Sequence, residues 1–259
     1  MIGAGNVATF LAVELQAAGH RTGLVYSRTL ANARKLGDRL KCRYTDDEGE
    51  IATAAGIKIV ALTDEAIVAF AEKNILGQGL LVHTAGSVPM DVFSGCSEDF
   101  GVIYPLQTFS PGRNPRKQGV PFCIEASNPG SLNIIRALAS AAGNQVYEVS
   151  SESRMMLHLA AVIACNFTNH MYVLAEEAVL KAGLPFEILH PLVKETSLKA
   201  VERSPALSQT GPAARNDMII IRKHLDLLSF SPELKELYHM ITESIMRRSA
   251  HSTREGTGD

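Results

Sequence analysis

The chain has 259 residues, 46% of them hydrophobic and 20% charged, with 25 basic side chains against 27 acidic ones. That length suits one large or two modest domains with a sizeable core. The near balance of charge and the absence of a Lys/Arg block exclude a nucleic-acid track and an anionic-membrane patch, and the Arg247–Arg248 pair reads as a solvated helix end.

The chain opens "MIGAGNVATF". Gly3, Gly5 and Ala8 form a G-x-G-x-x-A pattern of dinucleotide-binding type. Gly3 permits the tight turn, Gly5 lets the backbone approach a pyrophosphate, and Ala8 lets the following helix pack closely on the sheet. The N–H groups that open that helix, at Asn6 and Val7, then face the phosphate charge. Only Met1 and Ile2 precede the turn, whereas a strand runs about five or six residues. The expectation is that residues upstream complete the first strand.

Helical patterns over 6–18, 29–40, 64–75 and 129–142 alternate with β-type runs at 21–27, 57–62, 79–85, 101–106, 121–126 and 145–150. Such alternation predicts a parallel sheet covered on both faces. Gly19 fits the position just past the first helix. Beyond residue 150 the β-signal stops, and helices are expected over 153–182, 185–203, 215–229 and 232–248, with Pro191 kinking or splitting the second. Ser231–Pro232–Glu233 marks the start of the last helix, and the tail from 250 reads as frayed. The fold class expected is therefore α/β: a Rossmann-type parallel-sheet domain over 1–150, followed by an all-helical domain over 151–259.

The second β-run ends "VYSRT". An NAD-binding domain usually places a carboxylate there for the ribose 2′-hydroxyl. Ser27, Arg28 and Thr29 instead suit a 2′-phosphate, so NADP(H) is the expected cofactor, against the alternative that Arg28 is an ordinary surface arginine. Thr63 and Asp64 follow the next strand, where ligands of open α/β sheets bind; Asp64 serves equally well as a helix N-cap. Thr84, Ala85 and Gly86 form a small-residue turn that a nicotinamide ring could approach. Ser87 reads as a helix cap, since no base or nucleophile elbow accompanies it. In "YPLQTFS", Gln107 and Thr108 are expected near the cleft, Phe109 as its wall or as core, and Tyr104 as structural.

In the first long helix of the second half, His158, Asn166 and Asn169 fall within about 80° of one another at 100° per residue. Glu176 continues the stripe. Polar groups in an apolar helix need partners, supplied by a ligand or by neighbouring loops. His158 is the candidate proton donor or acceptor and Asn166 its companion; a satisfied buried histidine is the alternative. "QTGPAARND" offers Gln209, Thr210 and Arg215, the last as a carboxylate clamp. Alternatively this stretch only shapes a loop, with Arg215 paired to Asp217 or Glu195. No metal site is read from the histidines.

"GAGNVA", "VYSRT", "HTAGSVP", "YPLQTFS", "LHLAAVIACNFTNH", "PLVKETSLKA" and "QTGPAARND" occur in this order along roughly residues 1–245. Together they resemble bacterial Rossmann-like proteins with a C-terminal helical domain of unknown function, provisionally described as NADP oxidoreductases. More distant resemblances are to pyrroline-5-carboxylate reductases, deazaflavin-dependent NADP reductases and β-hydroxyacid dehydrogenases. The resemblance implies a Rossmann domain, a helical domain that dimerises and a site between the two. One departure concerns mechanism. The β-hydroxyacid dehydrogenases use a Lys and an Asn one turn apart on this helix, whereas here it carries His158 and Asn166, with no lysine before Lys181.

The four scattered cysteines read as reduced thiols, no signal-peptide pattern is seen, and the longest apolar run is too short and polar to span a bilayer. The expectation is thus a cytoplasmic, homodimeric NADP(H)-dependent oxidoreductase. It would act on a small carbonyl, alcohol or imine, with no nucleic-acid or membrane partner. An NADP-binding sensor or partner-binding protein without turnover is the rival.

Overall fold

The computed structural model describes residues 1–73, 75–77, 79–110, 119–143 and 145–255. Helix α1 (Asn6–Ala17) follows the glycine loop directly. It ends where Gly19 takes φ +93° and its N–H donates to the Gln16 carbonyl at 3.0 Å, the left-handed stop that glycine adopts freely. Next come β1 (Leu24–Tyr26), α2 (Leu30–Leu40), β2 (Arg43–Thr45), the short α3 (Gly49–Thr53), β3 (Lys58–Val60) and α4 (Asp64–Lys73). They are followed by β4 (Leu81–His83), a 3₁₀ turn at Met90–Phe93, β5 (Phe100–Pro105), β6 (Pro121–Ala126), α5 (Pro129–Ala142) and β7 (Gln145–Glu148). β2 and α3 escaped the sequence reading, because three and five residues are too few to show a period.

Met1 and Ile2 sit in the middle of the sheet. Ile2 bridges Tyr26 on one side and Val60 on the other, both in parallel. Its N–H donates to Ile59 O at 2.8 Å, and its carbonyl accepts from Ala61 N–H at 2.7 Å. Tyr26 N–H donates to Met1 O at 2.9 Å and Gly3 N–H to Tyr26 O at 2.8 Å. The order across the sheet is β2, β1, the Met1–Ile2 stretch, β3, β4, β5, β6, β7.

The sheet is not wholly parallel. β6 runs antiparallel to β5, with Ile103 opposite Ile124, and β7 then runs parallel to β6. The sequence joining β5 to β6 is rich in Pro and Gly and carries no helical pattern to supply a parallel crossover. Both faces are nevertheless covered. Ile59 and Val82 point into one core, with Leu11, Leu15, Ile103, Phe122, Ile135 and Leu138. Their neighbours Val60 and Leu81 point into another, with Ile2, Ile67, Phe70 and Phe93. Adjacent residues facing opposite cores is what a strand buried on both sides requires. A third cluster seats α2 against α1 through Ala8, Ala12, Ala33 and Leu36.

After β7 the chain is helical. The run expected over 153–182 divides into α6 (Ser151–Ala161), a π-helical stretch (Val162–Phe167) and α7 (Thr168–Lys181). A 3₁₀ turn at Phe186–Leu189 leads into α8 (His190–Glu202). Pro191 lies in the first turn of α8, where its missing N–H costs nothing; the split falls just ahead of it. Asp217 caps α9 (Met218–Leu227), accepting from Ile220 N–H at 3.2 Å, and α10 (Pro232–Glu255) starts at the expected proline. Of the tail, residues 256–259 lie outside the described residues, and the backbone before them is helical.

The chain forms two compact units, Met1–Phe167 and Thr168–Asp259. β-structure ends near residue 150, yet α6 belongs with the sheet, to which Ser151 and Arg154 bind it through Glu125 on β6. Within the second unit, Ile221, Leu234 and Thr242 are buried, and His224 Nδ1 lies 2.8 Å from the Tyr238 hydroxyl. Among the described residues no helix is long and apolar enough to cross a membrane.

Candidate functional site

The carboxyl ends of Met1–Ile2, β1, β3 and β4 open into one cleft of about 1180 Å³. Gly3, Gly5, Asn6 and Val7 form its floor. Helical bonding in α1 begins with Thr9 N–H donating to Gly5 O at 2.9 Å. The N–H groups of Asn6 and Val7 therefore precede the first helical bond and are available to a phosphate. Gly3 has φ +108°, and a methyl group there would lie 2.2 Å from the Ala61 carbonyl oxygen. A methyl group on Gly5 would meet nothing within 4 Å. Gly3 thus answers to the turn, while Gly5 leaves space on the cleft side.

Ser27, Arg28 and Thr29, just past β1, line the same cleft together with Asn32, Glu48 and Lys73. Lys73 is committed, its Nζ 3.0 Å from both oxygens of Glu48. Among the described residues Arg28 makes no ion pair, and it is exposed. Asn32 and Lys73 were not singled out in the sequence; the first helix turn after "SRT" was the signal for Asn32.

Thr63, Thr84, Ala85 and Gln107 close the inner end of the cleft, beside Phe109. Asn6 Nδ2 donates to Phe109 O at 2.9 Å and the Phe109 ring packs on Phe10, centroids 4.8 Å apart, so Phe109 is both wall and core. Asp64 opens α4, and its carboxylate accepts from the Ser87 hydroxyl. Ser87 therefore ties two strand-end loops together and is not the helix cap expected. Thr108 is exposed beside Gln107, and its N–H donates to Gln107 Oε1 at 2.9 Å.

His158 is half-buried on α6, with its Nδ1 3.1 Å from the hydroxyl of Tyr104 on β5. It packs against Gly86, the residue after Ala85, so it stands one residue behind the cleft wall. What holds α6 there is a network absent from the sequence reading. Arg154, one turn before His158, is 1% exposed. Its Nη1 lies 2.6 Å from Glu125 Oε2 on β6, and its Nη2 donates to Val88 O at 2.5 Å. Ser151 N–H and Oγ donate to the two oxygens of Glu125, and Ser151 Oγ accepts from Met90 N–H. One buried ion pair thus pins the His158 helix to β6 and to the loop after β4. A lone arginine four residues before a histidine was the available signal.

Next to this network His83 is fully buried, and burial, with a smaller contribution from the Arg154 charge, lowers its pKa to about 3. It is a neutral core histidine, packed edge-on to Phe93. Among the described residues no group of three or more His, Cys, Asp or Glu side chains could hold a metal, and all four cysteines are free.

The polar stripe drawn through His158, Asn166 and Asn169 assumed an unbroken α-helix. Asn166 lies in the π-helical stretch, where the 100° spacing fails, and is exposed; π-bulges recur at functional sites. Asn169 belongs to the second unit. So do Gln209, Thr210 and Arg215, which lie in a tight turn with Gly211 at φ +106° and Asn216 at φ +54°. Gln209 Nε2 donates to Thr210 O at 2.9 Å, and Arg215 N–H to Gly211 O at 3.3 Å. The Asp217 carboxylate caps α9, and Arg215 forms no side-chain ion pair among the described residues.

No curated protein matches the chain. A structure from Bacteroides fragilis named a "putative NADP oxidoreductase" shares 44% identity, covers 95% of this chain and 96% of its own, and superposes with a TM-score of 0.87. A Thermotoga maritima protein matches at 22% identity over 96% and 98% of the two chains, TM-score 0.79. A pyrroline-5-carboxylate reductase from Coxiella burnetii matches at 19% identity over 96% of each chain, TM-score 0.55. Residues 120–245 match the family described as "Domain of unknown function (DUF2520)". The chain accordingly belongs to one family with the Bacteroides fragilis protein, Rossmann-like with a C-terminal helical domain, and carries the DUF2520 region within it.

Proposed function

We propose that the chain is an NADP(H)-dependent oxidoreductase acting on a small carbonyl, alcohol or imine. The carrying observation is the Arg28 guanidinium, without an ion pair among the described residues and flanked by Ser27 and Thr29, in the same cleft as the N–H groups of Asn6 and Val7. A guanidinium and two hydroxyls match a 2′-phosphate, and the helix start matches a pyrophosphate. The open space at Gly5 and the small walls at Thr84 and Ala85 fit the group. The name of the Bacteroides fragilis relative supports the same reading.

A bound nicotinamide supplies or accepts a hydride. This chain's own residues do the rest. Asn6 and Val7 hold phosphate, Thr63, Thr84 and Ala85 shape the inner cleft, and His158 holds the proton exchanged with the substrate. Asn166 is its companion. Gln107 and Thr108 orient polar atoms of the substrate. Val201, Leu207, Ile219 and Leu227 are 85%, 87%, 70% and 71% exposed, which supports a homodimer that covers them. We place the protein in the cytoplasm. NADPH oxidation against a panel of small carbonyl and imine acids tests the reading. Turnover is expected in the wild type and is lost in His158→Ala with NADPH affinity kept; undiminished turnover in that variant would contradict it.

A further inference from the structure

The Tyr104 hydroxyl and His158 Nδ1 are 3.1 Å apart, with the two rings packed edge to face at 6.1 Å and 70°. Burial, then nearby Cys123, pushes the phenol above its ordinary value, with Arg154 opposing and Asp64 adding a little. The hydroxyl therefore keeps its proton, and a half-buried O–H needs an acceptor. Among the described residues, His158 Nδ1 is the acceptor within reach. A ring nitrogen that accepts carries no proton, so the neutral imidazole carries its hydrogen on Nε2.

Gly86 makes the pairing possible. A methyl group there would lie 2.8 Å from both His158 Nδ1 and Tyr104 Cζ. Gly86 does not adopt a positive φ, so the position demands an absent side chain and no special backbone. The pair meets Gly86, which follows the cleft-lining Thr84 and Ala85 in the chain.

We propose that Tyr104 is a positioning residue that fixes His158 as the Nε2–H tautomer, with Gly86 keeping open the space in which the pair forms. His158 then offers a ligand a hydrogen-bond donor at Nε2 and no lone pair. A donor suits a carbonyl oxygen or an imine nitrogen, whereas an alcohol that must lose its proton needs a base. The neutral site is matched to binding the oxidised form of its substrate. This rests on the role given to His158 above.

The test is long-range ¹H–¹⁵N spectroscopy of the histidine-labelled full chain at about pH 8.5, where ordinary histidines are neutral. Neither cofactor nor substrate is added. His158 is assigned by the signals lost in His158→Gln. The wild type is expected to show an unprotonated Nδ1 and a protonated Nε2. Both shifts are expected to move toward the average of two tautomers in Tyr104→Phe and in Gly86→Ala. A protonated Nδ1 in the wild type overturns the proposal whether or not the variants fold. So does a Tyr104→Phe spectrum that matches the wild type. Because the readout needs no turnover, failure here leaves the oxidoreductase reading standing, and failure of that reading leaves the tautomer result intact.

Discussion

A methyl group added at Gly3 would collide with the Ala61 carbonyl oxygen, whereas one added at Gly5 would project into open space. The two glycines of one motif should therefore fail in different ways. Gly3→Ala combines a left-handed backbone with a backbone clash, and at least about 2 kcal/mol of stability should be lost in urea melts. Gly5→Ala should melt like the wild type and yet bind NADPH at least about tenfold more weakly, a penalty near 1.4 kcal/mol. Equal stability losses for both would contradict the division of roles. Much of the cleft was legible at this scale. Gly3, Gly5, Asn6, Val7, Ser27, Arg28, Thr29, Thr63, Thr84, Ala85 and Gln107 all line it. They share a property that sequence reports well: each sits just after a strand. Tyr104, read as merely structural, pairs with His158 across 54 residues of chain, and no local pattern announces such a contact.

Helix α6 is held to the sheet by a short list of polar contacts centred on Arg154, Glu125 and Ser151. Breaking a buried pair by deleting one partner costs about 3–5 kcal/mol. Arg154→Met should fall toward the lower end, because Glu125 is 20% exposed and can be partly hydrated. NADPH affinity should hold, since Arg154 is not in the cleft wall, while turnover falls with the misplaced His158. The neighbouring His83 adds a pH dependence. Its folded pKa is depressed, from 6.5 to about 3, by burial first and by the Arg154 charge second. The unfolded chain therefore binds the proton that the folded chain refuses, and stability is lost as pH falls from 6.5 toward 3. His83→Gln should flatten that slope in melts recorded across this window; an unchanged slope would show that His83 does not report the burial seen here.

Elements were easier to foresee than their connections. The alternation of Ile59–Val60 and Leu81–Val82 between two cores is the signature of a doubly covered strand, and each expected β-run overlaps a strand, with β2 missed. The antiparallel turn of β6 and the π-helical Val162–Phe167 were not foreseen. Strand direction depends on how the chain returns, and a π-bulge leaves the apolar content of a helix unchanged.

At the scale of the whole molecule, one unit supplies a cleft at the carboxyl ends of its strands that holds the exposed Arg28, and the other exposes long apolar side chains on its helices. The Bacteroides fragilis relative shares this architecture along nearly its full length. The oxidoreductase reading depends on a pyridine nucleotide occupying that cleft. Calorimetric titration of the full chain and of Arg28→Ala with NADPH and with NADH measures this directly. The wild type should bind NADPH more tightly than NADH, and Arg28→Ala should lose NADPH affinity while barely changing that for NADH. Absence of heat with either nucleotide, or equal losses for both in the variant, would contradict the account.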